Sequence, residues 1–291
     1  MTSRSLRLGT AVVLGGAGMV ASAATLSDDF EGYAPGSFPA AQWLDAALPF
    51  PVPPPGVNSP FPSATVVATT NAFGVQAQAL QTVDALGVSK GIYASVPLSS
   101  SYSLVADIRT LRFANTDANA GAASDWTMQL TFAQTGVTNF AVAPQAGLYT
   151  SSLTHSWRFF LIGSNGGPTD DFDLGVAAAL GTWYTVSLGI DATGGVFHSI
   201  ITDTLSGTVL IDETHGYNAW QQQYAAYDSI VFFGGETAAN DPAGPASTTI
   251  AGLAQVDNVN IQAMPVPEPA TWALMAAGIV GWVATRRRQR R

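Results

Sequence analysis

A period of two is the dominant pattern inside the body of this chain and leaves few folds open to it. Trp126, Met128, Leu130 and Phe132 alternate with Thr127, Gln129, Thr131 and Ala133, so an extended segment here has one apolar face and one wettable face. Tyr102 to Phe113 reads the same way, as do Ala64 to Thr70, Phe73 to Val83, Gly91 to Leu98, Ser156 to Ile162 and Trp183 to Asp191. Val196 to Thr204, Thr208 to Asp212, Ser229 to Phe233 and Gln255 to Gln262 complete the set. Asp191-Ala192-Thr193-Gly194-Gly195 joins two of these segments with glycine where a positive φ is needed, which predicts a hairpin. About ten strands without a sustained helical period predict an all-β fold, an antiparallel β-sandwich. The best helical pattern is Tyr217 to Tyr227, where Trp220, Tyr224 and Tyr227 fall at i, i+4 and i+7, and it predicts one or two turns.

Between Ala24 and Pro265 the chain has four basic side chains, Lys90, Arg109, Arg112 and Arg158, against 19 of its 20 acidic ones, a formal charge of −15. So few cations cannot neutralise a phosphate backbone, which argues against nucleic acid as a partner. They give no electrostatic hold on an anionic lipid surface either. There is no cysteine, so the body must be held by a buried core rather than by disulfides. About 240 residues suffice for that. Residues 48–62 hold seven prolines in 15 positions, which rules out a central strand and predicts a polyproline-like surface excursion within a single domain.

Both ends carry targeting signals. Arg4 and Arg7 precede an apolar stretch from Leu8 to Val20, and Ala21-Ser22-Ala23 has the small-x-small form cut by signal peptidase. Residues 1–23 are expected to be removed as a signal peptide, leaving a body of residues 24–264. At the other end, Pro267-Glu268-Pro269 precedes an apolar run and then Arg286, Arg287, Arg288, Arg290 and Arg291. No side chain from Trp272 to Ala284 is charged, so a helix over 270–285 would be apolar on every face, as a membrane segment is. Its 16 residues span roughly 24 Å, and arginine stems in the basic tail 286–291 can reach back to the interface. The positive cluster would stay cytoplasmic, with everything before it across the membrane. The prolines stop the helix from running outward and keep Glu268 in extended geometry.

This order of signals over residues 265–291 resembles the PEP-CTERM sorting signal of exported Gram-negative proteins. The resemblance implies that Pro267, Glu268 and Pro269 are read by exosortase, a membrane-embedded cysteine protease or transpeptidase. It also implies an inner-membrane-anchored precursor released to the cell surface or the extracellular matrix.

The spacing of the strands, the opening Asp28-Asp29-Phe30-Glu31 and the closing Gln255-Val256-Asp257-Asn258-Val259 resemble concanavalin A-like or laminin G-like jelly rolls of exported carbohydrate-active and adhesive proteins. Such sandwiches often tie first and last strands with calcium, which makes Asp28, Glu31 and Asp257 the candidate ligands. The same aspartates also fit plain strand-entry and turn hydrogen bonds. Glycosidases of the laminarinase type carry Glu-x-Asp-x-Glu on one strand. That motif is missing: Glu31, Glu213, Glu236 and Glu268 are the only glutamates and stand far apart in sequence.

Other catalytic strings are weak. Gly87-Val88-Ser89-Lys90-Gly91 fits G-x-S-x-G, but a strand pattern follows where a nucleophile elbow needs a helix. His155, His198 and His215 lack the spacing of a helical zinc site and read as surface or hairpin histidines. Asp170, Asp171 and Asp173 follow Gly166-Gly167-Pro168 and read as a solvated loop. Trp126, Trp157 and Trp183 are assigned to the interior. Tyr217, Trp220, Tyr224 and Tyr227, interleaved with Gln221, Gln222 and Gln223, could stack on and hydrogen-bond to sugars, or could pack on a sheet as core. The sequence thus predicts an exported, noncatalytic sandwich with a structural or polysaccharide-binding role. The alternative is a secreted hydrolase whose carboxylates meet only in the fold.

Overall fold

The computed structural model describes residues 25–46, 64–85, 91–95, 101–113, 126–133, 145–151, 153–162, 169–191, 194–217, 229–234 and 250–263. The signal-peptide residues Ala21 and Ala23, the proline-rich 48–62, Gly87 to Lys90, and Trp220, Tyr224 and Tyr227 lie outside them. So do Pro267, Glu268 and Pro269, the segment 270–285, and Arg286, Arg287 and Arg288.

Regular structure among the described residues is entirely extended, in fifteen strands. These are β1 (Thr25–Asp28), β2 (Leu44–Ala46), β3 (Ala64–Thr70), β4 (Gln76–Ala85), β5 (Gly91–Ser95), β6 (Ser101–Arg112), β7 (Trp126–Ala133) and β8 (Gln145–Ser151). They continue as β9 (Ser156–Ile162), β10 (Thr169–Ala177), β11 (Trp183–Asp191), β12 (Val196–Asp203), β13 (Val209–Gly216), β14 (Ser229–Gly234) and β15 (Ile250–Ala263). Two antiparallel sheets result, ordered β13-β12-β11-β6-β15-β4-β3 with β1 also on β15, and β10-β9-β8-β7-β14-β5-β2. No described helix is long and apolar enough to cross a membrane.

The predicted alternation builds the core between the sheets. On β6, Tyr102, Leu104, Ala106 and Ile108 are at most 1% exposed, while Ser103, Val105, Asp107 and Arg109 between them are half-buried. Met128, Leu130, Phe132, Leu148, Trp157, Phe159 and Leu161 oppose them from the second sheet. Contacts across the sandwich include Tyr102 with Phe132 at 6.2 Å and Trp157 with Tyr184 at 5.7 Å between ring centroids. The β11–β12 hairpin forms as expected, with Asp191 paired to Val196 and Gly195 at φ 65°.

Several expectations need correction. Thr127 and Thr131, predicted to face water, are buried, as are Tyr149 and Phe160 on the neighbouring strands, so this part of the second sheet is covered on both faces. Asp170, Asp171 and Asp173 are not a loop but part of β10. Arg158 on β9 holds Asp171 at 2.9 Å and Asp173 at 3.2 Å, and the Tyr149 hydroxyl donates to Asp171 at 2.8 Å. With the carboxylates bound, the alternation of Phe172, Leu174 and Val176 governs the backbone. His215 lies in the β12–β13 hairpin, opposite Phe197, but not on the surface: its ring stacks on Phe159 at 4.1 Å, and burial lowers its pKa.

Candidate functional site

The strands β11, β6 and β15 present a polar face on the side away from the second sheet. Directly paired residues share a face, so their register sets out rows. Ser103 stands opposite Gln262 and Gly189, Val105 opposite Asn260 and Ser187, Asp107 opposite Asp257 and Thr185, and Arg109 opposite Gln255 and Trp183. Residues of β15 reach this face on both sides of Asn258 because a bulge inserts one extra residue between Asp257 and Asn260. Asn258 occupies that bulge at φ 50°, a left-handed conformation that asparagine tolerates better than most residues. The bulge turns Val259 to the core while Asp257 and Asn260 stay outside.

A groove of about 350 Å³ lies on this face, lined by Ser103, Val105, Asn258, Asn260 and Gln262. Every polar group in the lining is a neutral amide or hydroxyl. The side chains of Ser103, Asn260 and Gln262 make no hydrogen bond among the described residues. Asp107 bounds one end and is fixed in place: Thr185 Oγ1 donates to one oxygen at 2.6 Å and Asn258 Nδ2 to the other at 2.8 Å.

Beside it Asp257 is only 4% exposed. Burial, with the nearby Asp107, Glu31 and Asp29 carboxylates, pushes its pKa up to about 7 against the hydrogen bond from the Asn258 backbone N–H. Asp257 therefore carries its proton through the mildly acidic range, where an ordinary aspartate is ionised.

Beyond Asp107 the face is closed over by the end of β3. Trp183 Nε1 donates to the Thr70 carbonyl at 3.0 Å, and Thr69 Oγ1 donates to Gln255 Oε1 at 3.1 Å. Arg109 reaches Thr69 and Gln255 with one terminal nitrogen, and its guanidinium carbon lies 4.6 Å from the centre of the Trp183 ring. The Arg109 Nε is buried without a partner and the side chain makes no ion pair among the described residues, so burial lowers its pKa. Trp183 is buried as expected, at 5% exposure, but under this strap on the outer face rather than in the core.

The residues singled out from sequence fare unevenly. Tyr217 is 7% exposed, with its ring stacked on Phe197 at 4.4 Å. It belongs to the core and has no face to offer a sugar. Asp28, Glu31 and Asp257 are not gathered into a cation site, and no group of three His, Asp or Glu side chains among the described residues could hold a metal ion. Asp28 pairs with core-facing Val259 and Asp257 with outward-facing Asp107, so the sheet lies between them. The Asp28 carboxylate instead accepts from the Phe30 N–H at 2.9 Å, the Tyr33 hydroxyl at 3.1 Å and the Trp43 indole N–H at 2.7 Å. Glu31 accepts from the Gln78 N–H at 2.7 Å. Sequence reading missed Ser103, Asn258, Asn260 and Gln262. Their one signal was Asn-x-Asn-x-Gln on the last strand, which alternation sets on one face, but counted on from core-facing Ala254 and Val256 without the bulge that face would have been the core.

Residues 265–288 match the PEP-CTERM protein-sorting motif. That motif marks an exported protein with a membrane-anchored precursor processed by exosortase. No curated protein sequence matches the chain. Among solved structures, the endo-1,3-beta-glucanase from Streptomyces sioyaensis aligns at TM-score 0.50 and 12% identity over 84% of this chain and 97% of that one. Arcelin-5, a lectin-like defense protein from Phaseolus vulgaris, aligns at 0.49 and 7% over 84% and 99%. The basic winged bean lectin aligns at 0.47 and 10% over the same shares. The likeness to the glucanase shows the fold alone, an antiparallel β-sandwich of the lectin-like jelly-roll kind.

Proposed function

We propose that this chain is an exported cell-surface or extracellular-matrix protein whose sandwich binds polysaccharide without cleaving it. Signal peptidase would cut after Ala23 and exosortase would read Pro267, Glu268 and Pro269, leaving residues 24–264 as the working body. The observation that carries the reading is the groove of Ser103, Asn258, Asn260 and Gln262 around Val105. Uncharged donors and acceptors around an apolar patch match the hydroxyls and C–H faces of a sugar chain. Calcium is not required by this reading, since the groove holds no carboxylate.

Against hydrolysis, Asp107 has both oxygens held by Thr185 and Asn258 and Asp257 is shielded from solvent. One observation favours the rival hydrolase: Asp107 and Asp257 face each other on adjacent strands. Affinity electrophoresis of the full chain in detergent, run through gels containing polysaccharides, tests the proposal. Retardation of the wild type should weaken about tenfold in Asn260→Ala/Gln262→Ala, with no reducing ends released. Undiminished retardation of that variant would defeat the groove, and reducing ends that vanish with Asp107→Asn would install the hydrolase.

A further inference from the structure

The strap that crosses the polar face carries an aromatic side chain for which the fold has no use. Phe73 is 66% exposed and Val75 is 59% exposed, in the turn between β3 and β4. An exposed phenylalanine on a mobile tip would mean little. This tip is built to hold its shape. Asn71 Oδ1 accepts from the backbone N–H of Phe73 at 3.0 Å and of Val75 at 3.1 Å, the Asn71 N–H donates to the Val75 carbonyl at 2.9 Å, and Gly74 takes the positive φ of 75°.

The base of the turn is pinned to the outer face by the Trp183 bond to Thr70 and the contacts of Thr69 with Gln255 and Arg109. Phe73 stands three positions after Thr70, a reach of at most about 10 Å. The turn that carries Phe73 thus springs from a strap lying on the face that bears the groove.

We infer that Phe73 is a stacking platform for a neutral hexose polymer, continuing the groove of Ser103, Val105, Asn258, Asn260 and Gln262. This rests on the polysaccharide reading above and adds a residue and a ligand class to it. Stacking needs a sugar whose C–H bonds form one apolar face, as in β-linked glucans. Neutrality follows from charge. The Asp107 carboxylate is bonded to Asn258 of the groove lining, Arg109 is tucked beneath the strap, and the body carries −15. A polyuronate or sulfated chain meets repulsion there without a paired cation.

The test is affinity electrophoresis of the full chain in detergent against hydroxyethylcellulose, laminarin and alginate at low and high salt. At least one neutral glucan should retard the wild type at both salt levels, and alginate should not. Phe73→Ala should weaken retardation about tenfold, and Phe73→Trp should restore it. The thermal midpoint of both variants should match wild type, because the ring is mostly in water. Equal retardation of wild type and Phe73→Ala would overturn the platform while leaving the groove standing, and stronger retardation by alginate would overturn the ligand class. No retardation by any polymer would remove the polysaccharide reading and this inference with it.

Discussion

Replacing Asp28 by alanine is expected to lower the unfolding free energy by about 3 to 5 kcal/mol, which for a body of this size is a drop of roughly 10 °C in the thermal midpoint. The carboxylate is 7% exposed and accepts three hydrogen bonds, from Phe30, Tyr33 and Trp43. Its removal takes away the acceptor at 2.7 Å from the Trp43 indole N–H in a site where the residue is 1% exposed. A buried donor left without an acceptor costs on the order of 1 to 3 kcal/mol, and bonds to a charged group sit toward the upper end. The Phe30 backbone adds to the loss. Phe30 is held at φ 57° with its ring fully buried against Tyr33 and Trp43, a conformation that costs of order 1 kcal/mol or more without support. Burial, with the same carboxylate, pushes the Tyr33 hydroxyl up to about 12. Trp43→Phe should cost less, since it removes one donor and leaves the carboxylate two. Chemical denaturation of the three proteins checks this, and an Asp28→Ala variant within about 1 kcal/mol of wild type would show that the hub does not hold the sandwich end together.

The second large effect is a dependence of stability on pH that runs against the usual direction for an acidic group. Asp257 titrates near 7 in the folded chain and near 3.9 when unfolded, so between those values the native state holds the extra proton. Its contribution is full below about pH 4 and is lost as pH rises through 7. The loss is on the order of 3 kcal/mol. Asp257→Asn mimics the protonated side chain, and its amide oxygen can still accept from the Asn258 N–H. The variant should therefore match wild type near pH 4 and exceed it by on the order of 3 kcal/mol at pH 8. His215 works the other way. Its lowered pKa means that stability falls as pH drops below about 6.5, where the unfolded ring takes up a proton that the stacked ring resists. Taking the difference between wild type and Asp257→Asn at each pH isolates the carboxyl group. Parallel curves for the two proteins from pH 4 to pH 8 would mean that Asp257 is not proton-bearing in the fold.

Much of the sandwich was legible because burial on one face forces a period of two, and β3, β9, β11 and β12 lie where that period sets them. The misses have separate physical causes. β10 was hidden by three aspartates that read as a turn until Arg158 and Tyr149 are known to lie beside them. β8, Gln-Ala-Gly-Leu-Tyr-Thr-Ser, carries little alternation because Tyr149 and Thr150 are buried on opposite faces. Tyr217 shares its spacing with three aromatics, yet spacing cannot tell a core face from a ligand face, and here Phe197 takes its ring. The groove depended on a single bulge at Asn258, which reverses the facing of every residue after it. The calcium triad failed for the same reason, since that bulge sends Asp257 and the partner of Asp28 to opposite sides of one sheet. Only the sorting motif needed no fold to be read, because a tripeptide, an apolar run and a basic tail act as a linear address.

Everything proposed for the groove presupposes that the sandwich works outside the cell, with both addresses removed. The intact mass of the protein recovered from the medium and cell surface of its native host tests this most directly. The account predicts a chain that starts at Ala24 and ends between Met264 and the Pro267-Glu268-Pro269 motif, without the arginine tail. Recovery of the uncut 291-residue chain from the soluble cytoplasm, with none outside, would contradict it.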